Sequence, residues 1–253
     1  MALEQPSITP IAKSCGDDRA LVIVKGYLSE KARDPGERWP RAIREAGWQG
    51  AVYRLSWNAS HTADLMRRAM LMARFGRQPH IAALLTTTSL LNHWVQVRRQ
   101  ADHTGAACLR QVLDDSVPEP KVVLMGHSLG ARLICSGLQG WHDAGSRVQH
   151  VVLLGGAVPG GSETDWQTLI DRVPGRIVNV YNRRDWALTY LYRIGQLTRG
   201  RACGASPIDC AHPRIINVDV TRQVGGSFTN HIGYLRSLET ALGGVLETKN
   251  LPE

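Results

Sequence analysis

Six short, almost wholly apolar runs recur along this chain, each rich in β-branched residues. They are ALVIVKG (20–26), GAVYRLSW (50–57), KVVLMG (121–126), VQHVVLLGG (148–156), RIVNVYN (176–182) and RIINVDV (214–220). A strand with one wet face alternates apolar and polar residues, whereas a strand covered on both faces runs apolar throughout. Segments of helical character separate or follow these runs, at 36–46, 129–141, 163–172, 186–197 and 231–243. The alternation predicts an α/β fold, a mostly parallel central sheet with helices on both faces. In such a sheet, right-handed crossovers gather the site-bearing loops at the carboxyl ends of the strands.

The chain has 253 residues, within reach of one large core, and no internal repeat or linker interrupts the pattern. Residues 20–253 are therefore expected to form a single domain, with 1–19, rich in Pro, Ser and Asp, as a loose lead-in. The long interval 58–120 breaks the rhythm. Its second half, LLNHWVQVRRQADHTGAACLRQVLDD, predicts a long helix packed on the sheet. Its first half, DLMRRAMLMARFGRQ, fits three readings: a helical cap at about 58–90, an interfacial membrane-touching helix, or an ordinary packed helix.

Charge narrows the partners. The net charge is +8, and from Leu65 to Ala101 there is no Asp or Glu while Arg67, Arg68, Arg74, Arg77, Arg98 and Arg99 accumulate. Such a stretch suits an anionic surface, so peripheral contact with an anionic membrane through 65–77 is expected. No nucleic-acid-binding signature accompanies the charge, and no nucleic-acid partner is expected. A cytoplasmic location is expected, because neither a Sec signal peptide nor an apolar run of spanning length is present. The five cysteines are odd in number and scattered. The Cys203–Cys210 spacing could close a small loop, but two unpaired thiols is the plainer reading. Metal-site spacings are absent, so neither a metal nor a cofactor is expected.

The chemistry concentrates at VVLMGHSLGARL (122–133). A G-x-S-x-G string means little alone; here a strand precedes it and a helix-like segment follows, as a nucleophile elbow requires. Ser128 is the candidate nucleophile, with the backbone N–H of Leu129 as an oxyanion donor at the helix start. A serine needs a base, and in the α/β-hydrolase order Ser, Asp/Glu, His the histidine follows the last strand. Only His231 does. His212 precedes that strand, His127 adjoins the serine itself, and the other six histidines read as surface or helix residues. For the acid, Asp185 follows a strand end and stands ahead of a helix, where it could equally be an N-cap. Arg183 and Arg184 beside it would favour its ionised form. Asp209 is the fallback; Asp165 and Asp171 fall on a helix and Asp219 within the final strand. The second oxyanion donor is assigned to the backbone N–H of Tyr27, after Gly26.

Several of these blocks, in order, resemble a known family. VIVKGYLSE with VYRLSW, GHSLGARLI, VVLLGGAVP, RIVNVYNRRDWALTYLYR, and INVDV followed by the H-x-x-Y of His231 to Tyr234 are similar to α/β-hydrolase-like, lipase-like proteins related to transmembrane and coiled-coil domain protein 4, a domain-of-unknown-function family. The resemblance implies an α/β-hydrolase fold with Ser128, Asp185 and His231 at the triad positions. The expected activity is a serine hydrolase cleaving carboxylic esters, with acyl lipids or other hydrophobic esters as substrates. From a different class, a non-catalytic binding or adaptor protein at a membrane surface would use the same fold.

Overall fold

The computed structural model describes residues 5–26, 38–57, 88–141, 147–185, 188–189, 200–224 and 233–246. In chain order the strands are β1 (Ser7–Ala12), β2 (Arg19–Val24), β3 (Ala51–Ser56), β4 (Lys121–His127), β5 (Val148–Leu154), β6 (Ile177–Tyr181) and β7 (Ile215–Asp219). The helices are α1 (Arg38–Glu45), α2 (Thr88–Ser116), α3 (Leu129–Gln139), α4 (Trp166–Arg172), the short α5 (Thr221–Val224) and α6 (Leu238–Leu246), which a 3₁₀ turn at Gly233–Ser237 introduces. The seven strands form one sheet in the order β1-β3-β2-β4-β5-β6-β7. Every pairing is parallel except β1 with β3.

Five of the six apolar runs behave as their composition predicts; the sixth, β7, lies at the sheet edge and buries only Ile215 fully. In β2, Ala20, Val22 and Val24 point into one core while Leu21 and Ile23 point into the other. The first core is closed by α2, α3 and α4 through Leu109, Leu113, Leu133, Ile134, Leu169 and Ile170. The second is closed by α1 and α6 through Trp39, Ile43, Leu238 and Leu242. Each such side chain, fully buried, contributes roughly 1.5–3 kcal/mol, so both faces of the sheet must be covered for the strands to be worth forming. The long helix expected in the second half of 58–120 is α2. The expected cap at 58–90 lies outside the described residues, apart from the three residues that open α2.

Two expectations are corrected. Residues 7–12, read as part of a loose lead-in, form β1, paired antiparallel with β3 from Ser7 opposite Ser56 to Ala12 opposite Val52. The strand is half exposed, and its register shifts between Pro10 and Ala12, where a residue without an N–H is tolerated on a sheet edge. The second correction is His150, read as a surface or helix residue. It is buried in β5, and its Nδ1 accepts the Arg176 backbone N–H at 2.9 Å.

Burial, with the charges of Arg19 and Arg176, lowers the His150 pKa from 6.5 to about 4. Between those values the unfolded chain binds a proton that the folded protein refuses, so stability must fall as pH drops through this window. Urea unfolding at pH 7.5 and pH 5 should differ by about 2 kcal/mol from this residue. His150→Gln should remove most of that slope; an unchanged slope would show that His150 protonates in the fold.

Candidate active site

Ser128 sits between β4 and α3 with φ 56° and ψ −119°, and it is the sole non-glycine with positive φ among the described residues. Such backbone costs on the order of 1–3 kcal/mol and persists only where the surroundings impose it. Here they do. The Ser128 N–H donates to the Leu154 carbonyl at 3.0 Å, and the Ser128 carbonyl accepts from the N–H groups of Ala131 (3.2 Å) and Ala157 (3.0 Å). The strand β5 and the loop beyond it thus grip the turn from both sides.

Glycines make the close approach. A Cβ on Gly126 would lie 2.6 Å from the Ala131 Cα, and one on Gly130 would lie 2.0 Å from the Val24 carbonyl oxygen. Only bare backbone lets α3 start so tightly against β2. Gly26, directly after β2, is equally constrained: a Cβ there would meet the His127 carbonyl oxygen at 2.5 Å, the Ser128 Cβ at 2.7 Å and the Leu129 nitrogen at 3.1 Å. The chain at Gly26 therefore runs against the elbow. Leu129 opens α3, and the N–H groups of a first helical turn have no intrahelical acceptor and carry the positive end of the helix dipole.

Asp185 lies past the end of β6 and is fully buried. Its two oxygens have different partners. Oδ1 accepts the Leu188 N–H at 3.0 Å and the Asp185 carbonyl accepts the Thr189 N–H at 3.0 Å, so the N-cap reading of this residue is realised. Oδ2 faces the Tyr234 hydroxyl at 3.3 Å. The Tyr234 ring in turn lies 5.8 Å, centroid to centroid, from the ring of His127, the residue before Ser128. One aromatic side chain thus spans from the carboxylate to the neighbour of the serine.

The arginines expected to flank this carboxylate are corrected in part. The Arg183 Nε donates instead to Asp219 Oδ2 at 2.7 Å, on the exposed end of β7. The other candidate acids have their own positions. Asp165 caps α4 through the Thr168 N–H, Asp171 lies on that helix and accepts from Gln167, and Asp209 is exposed, with its N–H on the Gly160 carbonyl. His212 stands before β7, its Nδ1 accepting the Arg214 N–H at 3.2 Å. Cys203 and Cys210 are both free thiols; burial pushes the Cys203 thiol up to about 12. His231 and Tyr27 lie outside the described residues, as does the basic segment 65–77.

Tyr234 is the residue to which sequence reasoning gave no role. The H-x-x-Y spacing marked it, yet nothing local says that its hydroxyl reaches a carboxylate 49 residues earlier. Among the described residues no helix is long and apolar enough to cross a membrane.

Comparison with known proteins places this site in context. A stretch of 222 residues is 32% identical to the transmembrane and coiled-coil domain-containing protein STS1 of Oryza sativa subsp. japonica, covering 78% of this chain and 32% of that protein. A stretch of 156 residues is 35% identical to an uncharacterized membrane protein of Schizosaccharomyces pombe, covering 61% of this chain and 19% of that one. The chain thus spans a third or less of the length of these relatives. Among solved structures, a cutinase-like protein from Cryptococcus sp. aligns over 92% of this chain and 93% of its own, at 14% identity and a TM-score of 0.42. The α/β-hydrolase expectation agrees with the mostly parallel seven-stranded sheet and the strained serine at a strand-to-helix turn. The family described as "Protein of unknown function (DUF726)" matches residues 55–246, from the end of β3 through the serine elbow, Asp185 and Tyr234 to the end of α6, and the chain belongs to that family.

Proposed function

We propose that this protein is a serine hydrolase that cleaves carboxylic esters, with Ser128 as nucleophile, His231 as general base, Asp185 as its orienting acid, and the N–H groups of Leu129 and Tyr27 as oxyanion donors. The observation that carries the reading is the Ser128 backbone, φ 56° at the join of β4 and α3. A turn residue with no task beyond reversing the chain would be relieved of that strain by glycine; a serine is retained where its Oγ must stand above the strand end.

In this reading the Ser128 Oγ attacks the acyl carbonyl carbon while its proton passes to His231. The oxyanion that develops meets the Leu129 and Tyr27 N–H groups, and collapse expels the alcohol, which takes the proton from His231. Water, deprotonated by the same imidazole, then releases the carboxylic acid from the acyl-enzyme. The close approach of the Gly26 backbone to Ser128 and Leu129 supports a role for the Tyr27 N–H beside the oxyanion, and the buried Asp185 supports its role as an anchored carboxylate.

Hydrophobic esters, acyl lipids among them, are the proposed substrates. The acid-free, arginine-rich segment 65–77 supports peripheral contact with an anionic membrane, and the relatives named as membrane proteins agree with such a setting.

Intact-mass analysis after treatment with a fluorophosphonate tests the reading. Wild type should gain one phosphonyl group on Ser128, as the Oγ–P bond forms and fluoride leaves; His231→Ala should lose the adduct on the same timescale. Folded wild type that stays unlabelled, with and without anionic vesicles, would point instead to a hydrolase-fold binding protein.

A further inference from the structure

We infer that Tyr234 is a positioning residue of this site, its hydroxyl donating to Asp185 Oδ2 and fixing the orientation of that carboxylate. The inference rests on the hydrolase reading and adds to it a residue that acts through the acid.

A carboxyl group with no exposure needs hydrogen-bond partners for its oxygens. Asp185 receives one at each oxygen: the Leu188 N–H at Oδ1 (3.0 Å) and the Tyr234 O–H at Oδ2 (3.3 Å). The hydroxyl has a second acceptor within reach, the Gly204 carbonyl at 3.2 Å. A phenol has one proton to give, and a carboxylate oxygen is a stronger acceptor than a peptide carbonyl. The proton therefore belongs to Asp185.

The fold goes to some length to put the ring there. Gly155 directly follows β5 with φ +52°, and a Cβ on it would lie 2.6 Å from the Tyr234 Cε2 and 2.8 Å from its Cζ. Gly204 packs against Gly155 in turn, its would-be Cβ 2.2 Å from the Gly155 carbonyl carbon. Two glycines from distant parts of the chain thus open a slot that the tyrosine fills. The 3₁₀ turn that bears Tyr234 is tied by the Ser237 Oγ donating to the Tyr234 carbonyl at 2.8 Å. His231 stands three residues before Tyr234, so the H-x-x-Y unit carries both the proposed base and the donor to its acid.

Among the described residues, the titratable groups near Tyr234 are Asp185, Cys203 and His127. Burial first, then the charge of Asp185, holds the phenol well above its ordinary range, so it remains a donor throughout the working pH of a hydrolase.

The test measures kcat/KM for p-nitrophenyl butyrate against pH in wild type, Tyr234→Phe, Asp185→Asn and the double variant. Phenylalanine keeps the ring in its slot and removes only the donor. Tyr234→Phe should lose roughly tenfold, as expected for a hydrogen bond to a charged group. The acid limb of its profile should move up by about half a pH unit, because the unprotonated Asp185–His231 pair loses a group that stabilises its negative charge. In the Asp185→Asn background the same change should cost less than about twofold, since the charge it served is gone. An unshifted acid limb with the same loss in both backgrounds would mean that Tyr234 only packs, which overturns the inference and leaves the hydrolase reading standing. If fluorophosphonate fails to label wild-type Ser128, the hydrolase reading falls first and takes this inference with it.

Discussion

Ser128→Ala should lower turnover of a soluble ester by at least about 10⁴-fold while leaving the fold intact, since removing a triad serine costs this much or more and leaves only binding and oxyanion stabilisation. Alanine retains the Cβ and therefore the strain of φ 56°, so its unfolding free energy should stay within about 0.5 kcal/mol of wild type. Ser128→Gly separates the two effects. It should be equally inactive, yet more stable by roughly 1 kcal/mol, because glycine adopts positive φ without penalty. Ester turnover read beside urea unfolding makes the comparison. Wild-type turnover in Ser128→Ala would remove the serine from the chemistry. A glycine variant no more stable than wild type would mean that the elbow is held for packing and not for function.

The second large effect is on stability. Gly130→Ala should cost about 3 kcal/mol, because its new Cβ would fall 2.0 Å from the Val24 carbonyl oxygen and 2.7 Å from the Val24 carbonyl carbon. Both atoms are backbone at the carboxyl end of an inner strand, so no rotamer change relieves the contact; α3 must retreat from β2. That retreat would also shift Ser128, whose carbonyl is tied to Ala131 and Ala157, and activity should fall with stability. Gly243→Ala in α6 is the matched control. A Cβ there meets nothing within 4 Å, so the helical preference for alanine should stabilise by up to about 1 kcal/mol. Equal midpoints for the two variants in urea would show that the β2–α3 approach is softer than its geometry says.

Under the proposed reading, the basic segment 65–77 is the part of the chain suited to an anionic lipid surface, while the described helices supply no membrane span. Contact with a lipid surface would serve to bring a poorly soluble ester to the carboxyl end of the sheet.

What was legible in the sequence was whatever short-range chemistry dictates. The apolar runs read as buried strands because a stretch such as VVLM or ALVIV has no polar face to offer water; only β7, at the sheet edge, is left partly exposed. The elbow was legible because strand, glycine, serine, glycine and helix follow one another within a dozen residues, and each is needed for the turn. Asp185 could be placed for the same reason, at a strand end before a helix. Features that depended on a partner far along the chain stayed hidden. SITPIA is half polar and carries a proline; it becomes β1 only because β3 presents an open edge. Arg183 reads as a neighbour of Asp185, yet Asp219, 36 residues later, takes it, since β6 and β7 lie side by side. His150 looks like any polar residue until the Arg176 backbone and the packing above it hold it neutral. The meeting of Tyr234 and Asp185 required Gly155 and Gly204 to clear a slot from two other segments. Local sequence determines strands, helices and a strained turn because those are decided by adjacent residues; which side chain satisfies a buried charge is decided by the fold that brings distant segments together.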